Sequence, residues 1–182
     1  MKHNYCEKIG SDINTRLLHR EIDSIITKFG LENQSQIAIT SVQGDNDFTG
    51  NTGKVDQLKH PEIDYAKINQ AFDGSYIAQC INQYPDFYRW RIMYLHGRKS
   101  YSVHSDGVIP GKTNYRIHIP VITNSEAYLA FFDQHIENNK KNEVYFTHLS
   151  VGNVYMINAS KLHTAFNFRT WSRIHIVGVK HE

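Results

Sequence analysis

His104-Ser105-Asp106 lies just past the middle of the 182-residue chain and is followed far downstream by His163. Alternate side chains of a β-strand share one face, so His104 and Asp106 point the same way while Ser105 points away. His163 lies in a second stretch with the composition of a strand, 59 residues after His104. A site that joins two strands so far apart in the chain suits a barrel. Two imidazoles and one carboxylate, with the remaining positions open, are the ligand set of non-heme Fe(II) sites. The pattern therefore predicts an iron site on these three residues.

An arginine follows on a stretch that suits the same site. Arg173 comes ten residues after His163, within the apolar run at 172–177. A guanidinium binds a carboxylate through two parallel hydrogen bonds. A dicarboxylic co-substrate would fit an iron site that has such an arginine beside it.

The stretch around Arg116 has two chemically different faces. In a strand here, Arg116, His118 and Pro120 share one face and the intervening apolar residues share the other. The string Arg-Ile-His-Ile occurs again at 173–176. We interpret the repeat as two strands whose polar faces turn into the mouth of a barrel. An ordinary amphipathic strand with its polar face in water would give the same pattern.

Several sequence pieces of the C-terminal half stand in a specific order and spacing. They are RIMYLHG at 91–97, HSD at 104–106, RIHIPVITN at 116–124, GNVY at 152–155, HTAFN at 163–167 and RIH at 173–175. A His-x-Asp pair alone arises often by chance, whereas the whole conjunction is specific. In these pieces the chain, from about residue 88 to 180, resembles the aspartyl/asparaginyl β-hydroxylase family of iron- and 2-oxoglutarate-dependent oxygenases.

The resemblance implies a role for each matching residue. The two histidines and the aspartate described above would be the iron ligands, and Arg173 would bind the distal carboxylate of 2-oxoglutarate. Arg116 and His118 would lie near the other end of 2-oxoglutarate. Many family members also have a small hydroxyl residue upstream as a second partner. The matching stretch here ends at Tyr94, so either Tyr94 takes that role or the partner is missing.

The resemblance also implies a reaction. Oxygenases of this family use dioxygen to hydroxylate an unactivated C–H bond and convert 2-oxoglutarate to succinate and carbon dioxide. The substrate would be an amino-acid side chain, either Asp or Asn within a polypeptide or a free amino acid. The carboxylate of Asp106 favours hydroxylation over halogenation, which needs that position vacant for chloride. The alternative is a non-oxidative cupin-like metalloprotein, an isomerase or small-ligand binder, which would not need Arg173.

Other histidines remain available as ligands or as neighbours of the ligands. The chain has 11 histidines, so some spacings resemble a metal site by accident. Most such residues lie at protein surfaces or beside a site rather than in it. The alternatives are His96, His118, His135, His148, His175 and His181.

Composition narrows the partners and the location. The net charge is +2 with both signs interspersed, which does not favour nucleic-acid binding. The first residues lack the apolar core of an export signal, and no apolar run is long enough to span a bilayer. Cys6 and Cys80 stand alone, which favours reduced thiols over a disulfide framework. We expect a cytoplasmic protein that binds neither nucleic acid nor membrane, and its oligomeric state stays open.

The length of the chain suits one domain. We expect residues 1–182 to form a single oxygenase domain, in which helices and loops of 1–87 pack on a barrel formed by 88–182. The N-terminal part should contain a helix near 13–29, a strand at 35–42, a loop at 44–53 that can cover a substrate, and a helix across 68–84. Eight β-branched and aromatic runs predict a mostly β fold, the double-stranded β-helix or cupin-like jelly roll. These runs are 88–95, 100–104, 115–122, 126–132, 143–149, 153–157, 163–167 and 172–179.

Overall fold

A computed structural model of the chain describes residues 5–106, 112–133 and 143–182. Within these ranges the chain forms twelve strands, two α-helices and three short 3-10 turns. The strands are β1 (Cys6–Gly10), β2 (Gln36–Ala38), β3 (Thr40–Ser41), β4 (Lys67–Ile68), β5 (Tyr88–Leu95), β6 (Lys99–Ser100), β7 (Asn114–Ile122), β8 (Ala127–Asp133), β9 (Glu143–Thr147), β10 (Val154–Asn158), β11 (Leu162–Asn167) and β12 (Arg173–His181). The helices are α1 (Thr15–Phe29) and α2 (Tyr76–Ile81), and the 3-10 turns are Val55–Gln57, Glu62–Asp64 and Gln70–Phe72.

Two antiparallel sheets form the barrel. The larger sheet has the order β1-β10-β7-β12-β5-β2 and the smaller has the order β6-β11-β8-β9. From β5 to β12 the chain crosses between the sheets at every step except β8 to β9, which are neighbours in the smaller sheet, and β6 lies at the edge of that sheet. This arrangement is the predicted jelly roll, and the mostly β fold class is confirmed.

The predicted barrel strands are found with small shifts of their ends. The exception is the run predicted at 100–104, where only Lys99–Ser100 is a strand. Beyond it the chain meets β11 again at a single bridge between His104 and His163. The strand ends early because the backbone there pairs with β11 only at isolated points, including a hydrogen bond from Tyr101 N–H to the Ala165 carbonyl.

Helix α1 covers the outer face of the larger sheet. The Asn14 side chain accepts a hydrogen bond from Leu17 N–H at its start, and Gly30 ends it in the left-handed conformation with φ of 65°. Its apolar stripe, which includes Leu18 and Ile22, is fully buried against residues such as Ile117 of β7. The predicted helix near 13–29 is therefore confirmed.

The helix predicted across 68–84 is wrong in extent. Only Tyr76–Ile81 is α-helical, and Gln70–Phe72 forms a 3-10 turn. Gly74, with φ of 69°, separates the two, because a residue in this conformation cannot continue a helix. Ser75 then starts α2 by accepting a hydrogen bond from Ala78 N–H.

The N-terminal part also contributes strands to the barrel sheet. β1 and β2 form the two edges of the larger sheet, and the predicted strand at 35–42 is split into β2 and β3. The predicted description of 1–87 as helices and loops is therefore incomplete. No helix in the described part of the chain is long and apolar enough to cross a membrane.

A buried ion pair joins the N-terminal part to the barrel. Glu62 and Arg89 are almost completely buried, and Arg89 Nη1 donates to Glu62 Oε1 at 2.5 Å. Arg89 also donates to the carbonyls of Asn51 (2.8 Å) and Gly53 (2.8 Å). The end of the predicted loop at 44–53 is thus fixed to β5 through one guanidinium.

Neutralising this pair should destabilise the fold strongly. We expect Glu62→Gln to lower the free energy of unfolding by about 3–5 kcal/mol, because it leaves the Arg89 charge buried without compensation. Urea unfolding of the ligand-free protein measures the loss. Glu32→Gln, at an exposed turn, is the matched control. A loss no larger than that of the control would contradict the assignment.

Candidate metal centre

The structure brings the three predicted iron ligands together. One donor atom from each of His104, Asp106 and His163 lies within 4.8 Å of the others. The backbone sets this spacing, because His104 N–H donates to the His163 carbonyl at 3.0 Å and His163 N–H donates to the His104 carbonyl at 2.8 Å. Two distant segments of the chain are therefore locked side by side at the point where they present the imidazoles.

Both imidazoles are oriented by backbone carbonyls. His104 Nδ1 lies 2.7 Å from the Ser102 carbonyl, and His163 Nδ1 lies 2.8 Å from the Lys161 carbonyl. A carbonyl only accepts, so each Nδ1 carries a proton and Nε2 is the nitrogen left for a metal. Metal-binding histidines are usually fixed in this way. The tautomers therefore suit coordination through Nε2.

Asp106 is held from two sides. His104 Nε2 lies 3.3 Å from Asp106 Oδ1, and Arg116 Nε donates to Asp106 Oδ2 at 2.8 Å. Burial acts to raise the pKa of the Asp106 carboxyl, but the hydrogen bond from His104 and the positive charge of Arg116 outweigh it and hold this pKa well below its ordinary value. Asp106 is therefore an ionised carboxylate, as a metal ligand must be.

The two histidines differ in environment. The hydrogen bond with Asp106 is the main cause that raises the pKa of the partly exposed His104. Burial lowers the pKa of His163, which is only 6% exposed. His163 therefore offers a neutral imidazole at neutral pH, and metal binding at His104 must displace the proton that it shares with Asp106.

The ligands open into a cavity of about 640 Å³ between the two sheets. Arg116, His118 and Arg173 line it from the larger sheet, while His163 and Ala165 line it from the smaller one. On β7 and β12 the polar residues thus face this cavity, and the apolar residues between them, such as Ile117 and Ile174, pack in the core under α1. The predicted inward direction of the polar faces is confirmed.

Arg173 is a buried cation that faces the cavity. It is 5% exposed, and its Nε has no hydrogen-bond partner among the described residues. Burial lowers its pKa to about 10, and the neighbouring Tyr101 acts in the opposite direction. The guanidinium is still charged at neutral pH, so Arg173 is available to bind an anion.

His118 lies against a second buried histidine. Its Nδ1 is 3.2 Å from Nδ1 of His175, and both side chains are buried. Burial, followed by the charge of Arg173, lowers the pKa of both imidazoles well below the ordinary value. Both are therefore neutral, with one Nδ1 donating and the other accepting. His118 also lines the cavity, so it stays a candidate for binding a co-substrate.

Tyr94 does not reach the cavity. It packs with the apolar cluster on the α1 side of the larger sheet, because it lies one residue from the inward-facing Met93 and so points to the opposite face. Of the two alternatives left by the sequence, Tyr94 as the second 2-oxoglutarate partner or a missing partner, this position contradicts the first. Tyr101 does line the cavity, and it acts electrostatically on Arg173.

The other candidate histidines lie elsewhere. His96 is exposed and lies 3.1 Å from the Ser172 hydroxyl, and His148 bonds the Ala127 carbonyl at 2.9 Å. His135 and the side chain of His181 lie outside the described residues. Within the part of the chain that the structure describes, the predicted triad is the one cluster of three or more His, Cys, Asp or Glu with metal-ligand spacing.

Four further polar residues line or support the cavity, and the sequence motifs did not identify them. Arg89 and Arg91 share the inward face of β5 with Met93, and the period of two in Arg-Trp-Arg could have revealed them. Gln36 on β2 binds Arg91, and Glu62 binds both Arg89 and Arg116. Glu62 lies on an isolated 3-10 turn, and no local pattern marks it as buried.

The comparisons with known proteins show the fold. No protein-family model matches the chain, and no curated protein matches it. AviO1 from Streptomyces viridochromogenes Tue57 is 14% identical with a TM-score of 0.54, and the match covers 96% of this chain and 88% of that one. The nickel complex of ThoJ, a non-heme monooxygenase, is 8% identical with a TM-score of 0.53, and the match covers 97% of this chain and 73% of ThoJ. SnoK, a non-heme alpha-ketoglutarate-dependent carbocyclase from nogalamycin biosynthesis, is 10% identical with a TM-score of 0.52, and the match covers 91% of this chain and 74% of SnoK.

Removal of one imidazole should abolish tight metal binding. We expect His163→Ala to weaken Ni(II) or Fe(II) binding by at least about a hundredfold, because two ligands remain where three were present. Anaerobic metal titration followed by calorimetry measures the affinity. His96→Ala, at an exposed histidine away from the centre, should bind metal like the wild type. Equal affinity in both variants would overturn the ligand assignment.

The buried His118–His175 pair should make the fold sensitive to acid. Both pKa values lie below 6.5 in the folded protein, so below that pH the unfolded chain binds more protons and the free energy of unfolding falls. We expect His175→Gln to reduce this slope by up to about 1.4 kcal/mol per pH unit between pH 6.5 and 5. Urea unfolding at several pH values measures it, with the exposed His60→Gln as control. An unchanged slope in His175→Gln would contradict the neutral state of the pair.

Proposed function

We propose that this protein is an Fe(II)/2-oxoglutarate-dependent dioxygenase that hydroxylates an unactivated C–H bond of an amino-acid side chain. One observation carries the proposal. A two-histidine, one-carboxylate donor set and a buried arginine with an unbonded Nε, Arg173, face the same cavity between the two sheets. A dicarboxylic co-substrate could bind the open metal positions with one end and the guanidinium with the other.

The donor set fits Fe(II). His104 and His163 each present Nε2, and the Asp106 carboxylate is ionised. Two imidazoles and a carboxylate on one side of the ion leave the remaining positions for a co-substrate and dioxygen. Arg116 fixes the carboxylate through Oδ2, so Oδ1 stays directed toward His104 and would be the oxygen offered to a metal. Bound iron, together with 2-oxoglutarate and dioxygen, would supply the oxidation of the C–H bond with release of succinate and carbon dioxide.

The remaining cavity residues would bind 2-oxoglutarate. Arg173 would take the distal carboxylate in two hydrogen bonds, and the Tyr101 hydroxyl near it would serve as a further partner. Arg116 and the neutral His118 would lie near the end that meets the metal. Arg116 already donates to Asp106 and Asn114, so in this site it orients the metal ligand as well.

Two kinds of comparison support an oxidative reaction. Among the solved structures of similar fold, ThoJ is a non-heme monooxygenase seen with nickel, and SnoK is an alpha-ketoglutarate-dependent enzyme. The sequence pieces that include His104, Arg116 and Arg173 resemble the aspartyl/asparaginyl β-hydroxylases. That resemblance supports an amino-acid substrate, as Asp or Asn in a polypeptide or as a free amino acid. The cytoplasm remains the location that we propose.

The proposal is tested by anaerobic titration of the Fe(II)-loaded protein with 2-oxoglutarate. We expect the visible charge-transfer band of a chelated 2-oxo acid. Arg173→Ala should require at least about tenfold more 2-oxoglutarate for the same band, because a charge-assisted contact to the distal carboxylate is lost. Arg169→Ala removes a half-exposed arginine paired with Glu126 and is the matched control.

Two results would contradict the proposal. A protein that binds iron but gives no band would instead support a non-oxidative cupin-like metalloprotein. An equal 2-oxoglutarate requirement in Arg173→Ala and Arg169→Ala would remove Arg173 from the site.

A further inference from the structure

The cavity holds more buried positive charge than its buried carboxylates neutralise. A further carboxylate on its wall, that of Asp56, is exposed. Arg89 and Arg116 share the two buried or half-buried carboxylates of the site, because Glu62 bonds both and Asp106 bonds Arg116. Two further buried guanidiniums line the same cavity and pair with no carboxylate among the described residues. They are Arg91 and Arg173. A buried charge without a counter-ion is costly, so two such groups in a cavity indicate two anionic groups to be bound.

The guanidinium of Arg91 is only partly hydrogen-bonded. Its Nη1 donates to Gln36 Oε1 at 3.2 Å, while its Nε has no hydrogen-bond partner in the described residues. The side chain is 5% exposed, and burial, followed by the charges of Arg89 and Arg116, lowers its pKa to about 9. Arg91 is therefore still a cation at neutral pH. It has donors left over and faces the cavity.

Arg91 and Arg173 start from well-separated points of the sheet. In the pairing of β5 with β12, Arg173 lies opposite Leu95 and Arg91 lies opposite Val177, four residues along the same face. At the rise of a strand this places their backbones about 13 Å apart. A single carboxylate group bound at Arg173 therefore does not neutralise Arg91.

The position of Arg91 is next to the metal centre rather than at the far end of the cavity. Val177 of β12 pairs with Arg91 on one side and with His118 on the other, so these two residues lie in one row across the sheet. Asp106 is among the groups that act on Arg91. Gln36 Oε1, which accepts from Arg91, also accepts from Gly53 N–H at 3.1 Å. Arg91 is thus joined to the segment 53–57, which forms part of the cavity wall.

We propose that Arg91 binds a carboxylate of the primary substrate and thereby places that substrate between the metal centre and the segment 53–57. The inference rests on the proposed function for the assignment of Arg173 to the co-substrate. It narrows the substrate to an amino acid or residue with a free carboxylate. Arg91 is then a specificity residue, because an uncharged analogue would leave its guanidinium buried and unpaired.

A first test needs neither metal nor co-substrate. We expect Arg91→Met to raise the thermal unfolding midpoint of the ligand-free protein by about 2–4 °C, because it removes an uncompensated buried charge and keeps the side-chain length. The matched variant Arg89→Met removes a guanidinium with three good hydrogen bonds and should lower the midpoint. A clear fall of the midpoint in Arg91→Met would show a structural role and overturn the proposal.

A second test measures binding of carboxylates directly. Ni(II)-loaded protein saturated with 2-oxoglutarate is titrated with the twenty common amino acids and with their α-carboxamides. Blocked peptides that contain Asp or Asn at one position form a second arm. We expect an acid, but not its amide, to bind, and Arg91→Gln to weaken that binding by at least about tenfold. Binding in the amino-acid arm identifies a free substrate, and binding in the peptide arm identifies an acidic residue.

The outcomes separate this inference from the proposed function. If Arg91→Gln has the wild-type 2-oxoglutarate requirement but binds the acid at least about tenfold more weakly, the inference is supported. If Arg91→Gln raises the 2-oxoglutarate requirement as Arg173→Ala does, Arg91 belongs to the co-substrate and the inference is wrong. It is equally wrong if no acid in either arm binds, or if an acid binds both proteins alike. Failure of the proposed function is recognised independently, as wild-type protein that binds iron without a 2-oxoglutarate band.

Discussion

The structure depends on how a few carboxylates are shared among buried guanidiniums inside an apolar barrel. Glu62 forms ion pairs with Arg89 and Arg116. Arg116 also pairs with Asp106, whose other carboxylate oxygen contacts His104. A charge in such an interior is costly unless it is paired and hydrogen-bonded. The same chain of contacts therefore fixes the N-terminal part on β5, keeps Asp106 ionised and sets the direction of a candidate metal-ligand oxygen. Stability and the candidate chemistry rest on one network.

The jelly roll supplies the frame in which this network forms. The larger sheet has two different faces, with apolar residues such as Ile117 under α1 and polar ones such as Arg116 toward the cavity. The smaller sheet closes the cavity and brings His163 to His104 through a two-bond backbone bridge. The polar side chains on the cavity wall include the candidate metal ligands, the Arg116 partner of Asp106 and the guanidiniums of Arg91 and Arg173.

Sequence pattern predicted the barrel, the three candidate ligands and the cavity residues Arg116, His118 and Arg173, but not Arg89, Arg91 or Glu62. Strand faces follow a period of two, so Arg116 and His118 could be placed together from the sequence alone. The same rule, applied to β5, contradicts a role for Tyr94 in the cavity and points to Arg91, for which the family resemblance implies no role. Glu62 could not be predicted, since its burial results from long-range packing of an isolated turn. The break at Gly74 depends on a backbone conformation that a glycine permits but does not require.

The central claim is that the triad of His104, Asp106 and His163 supports oxidation coupled to 2-oxoglutarate. The most direct measurement is the release of carbon dioxide and succinate from 2-oxoglutarate by the Fe(II)-loaded protein in air, without added substrate and with ascorbate as the reductant that takes up the second oxidising equivalent. The account predicts slow release of both products in equal amounts, with no release when iron or dioxygen is withheld. Iron-loaded, folded protein that releases neither product, even with the carboxylate ligand identified through Arg91 present, would contradict it.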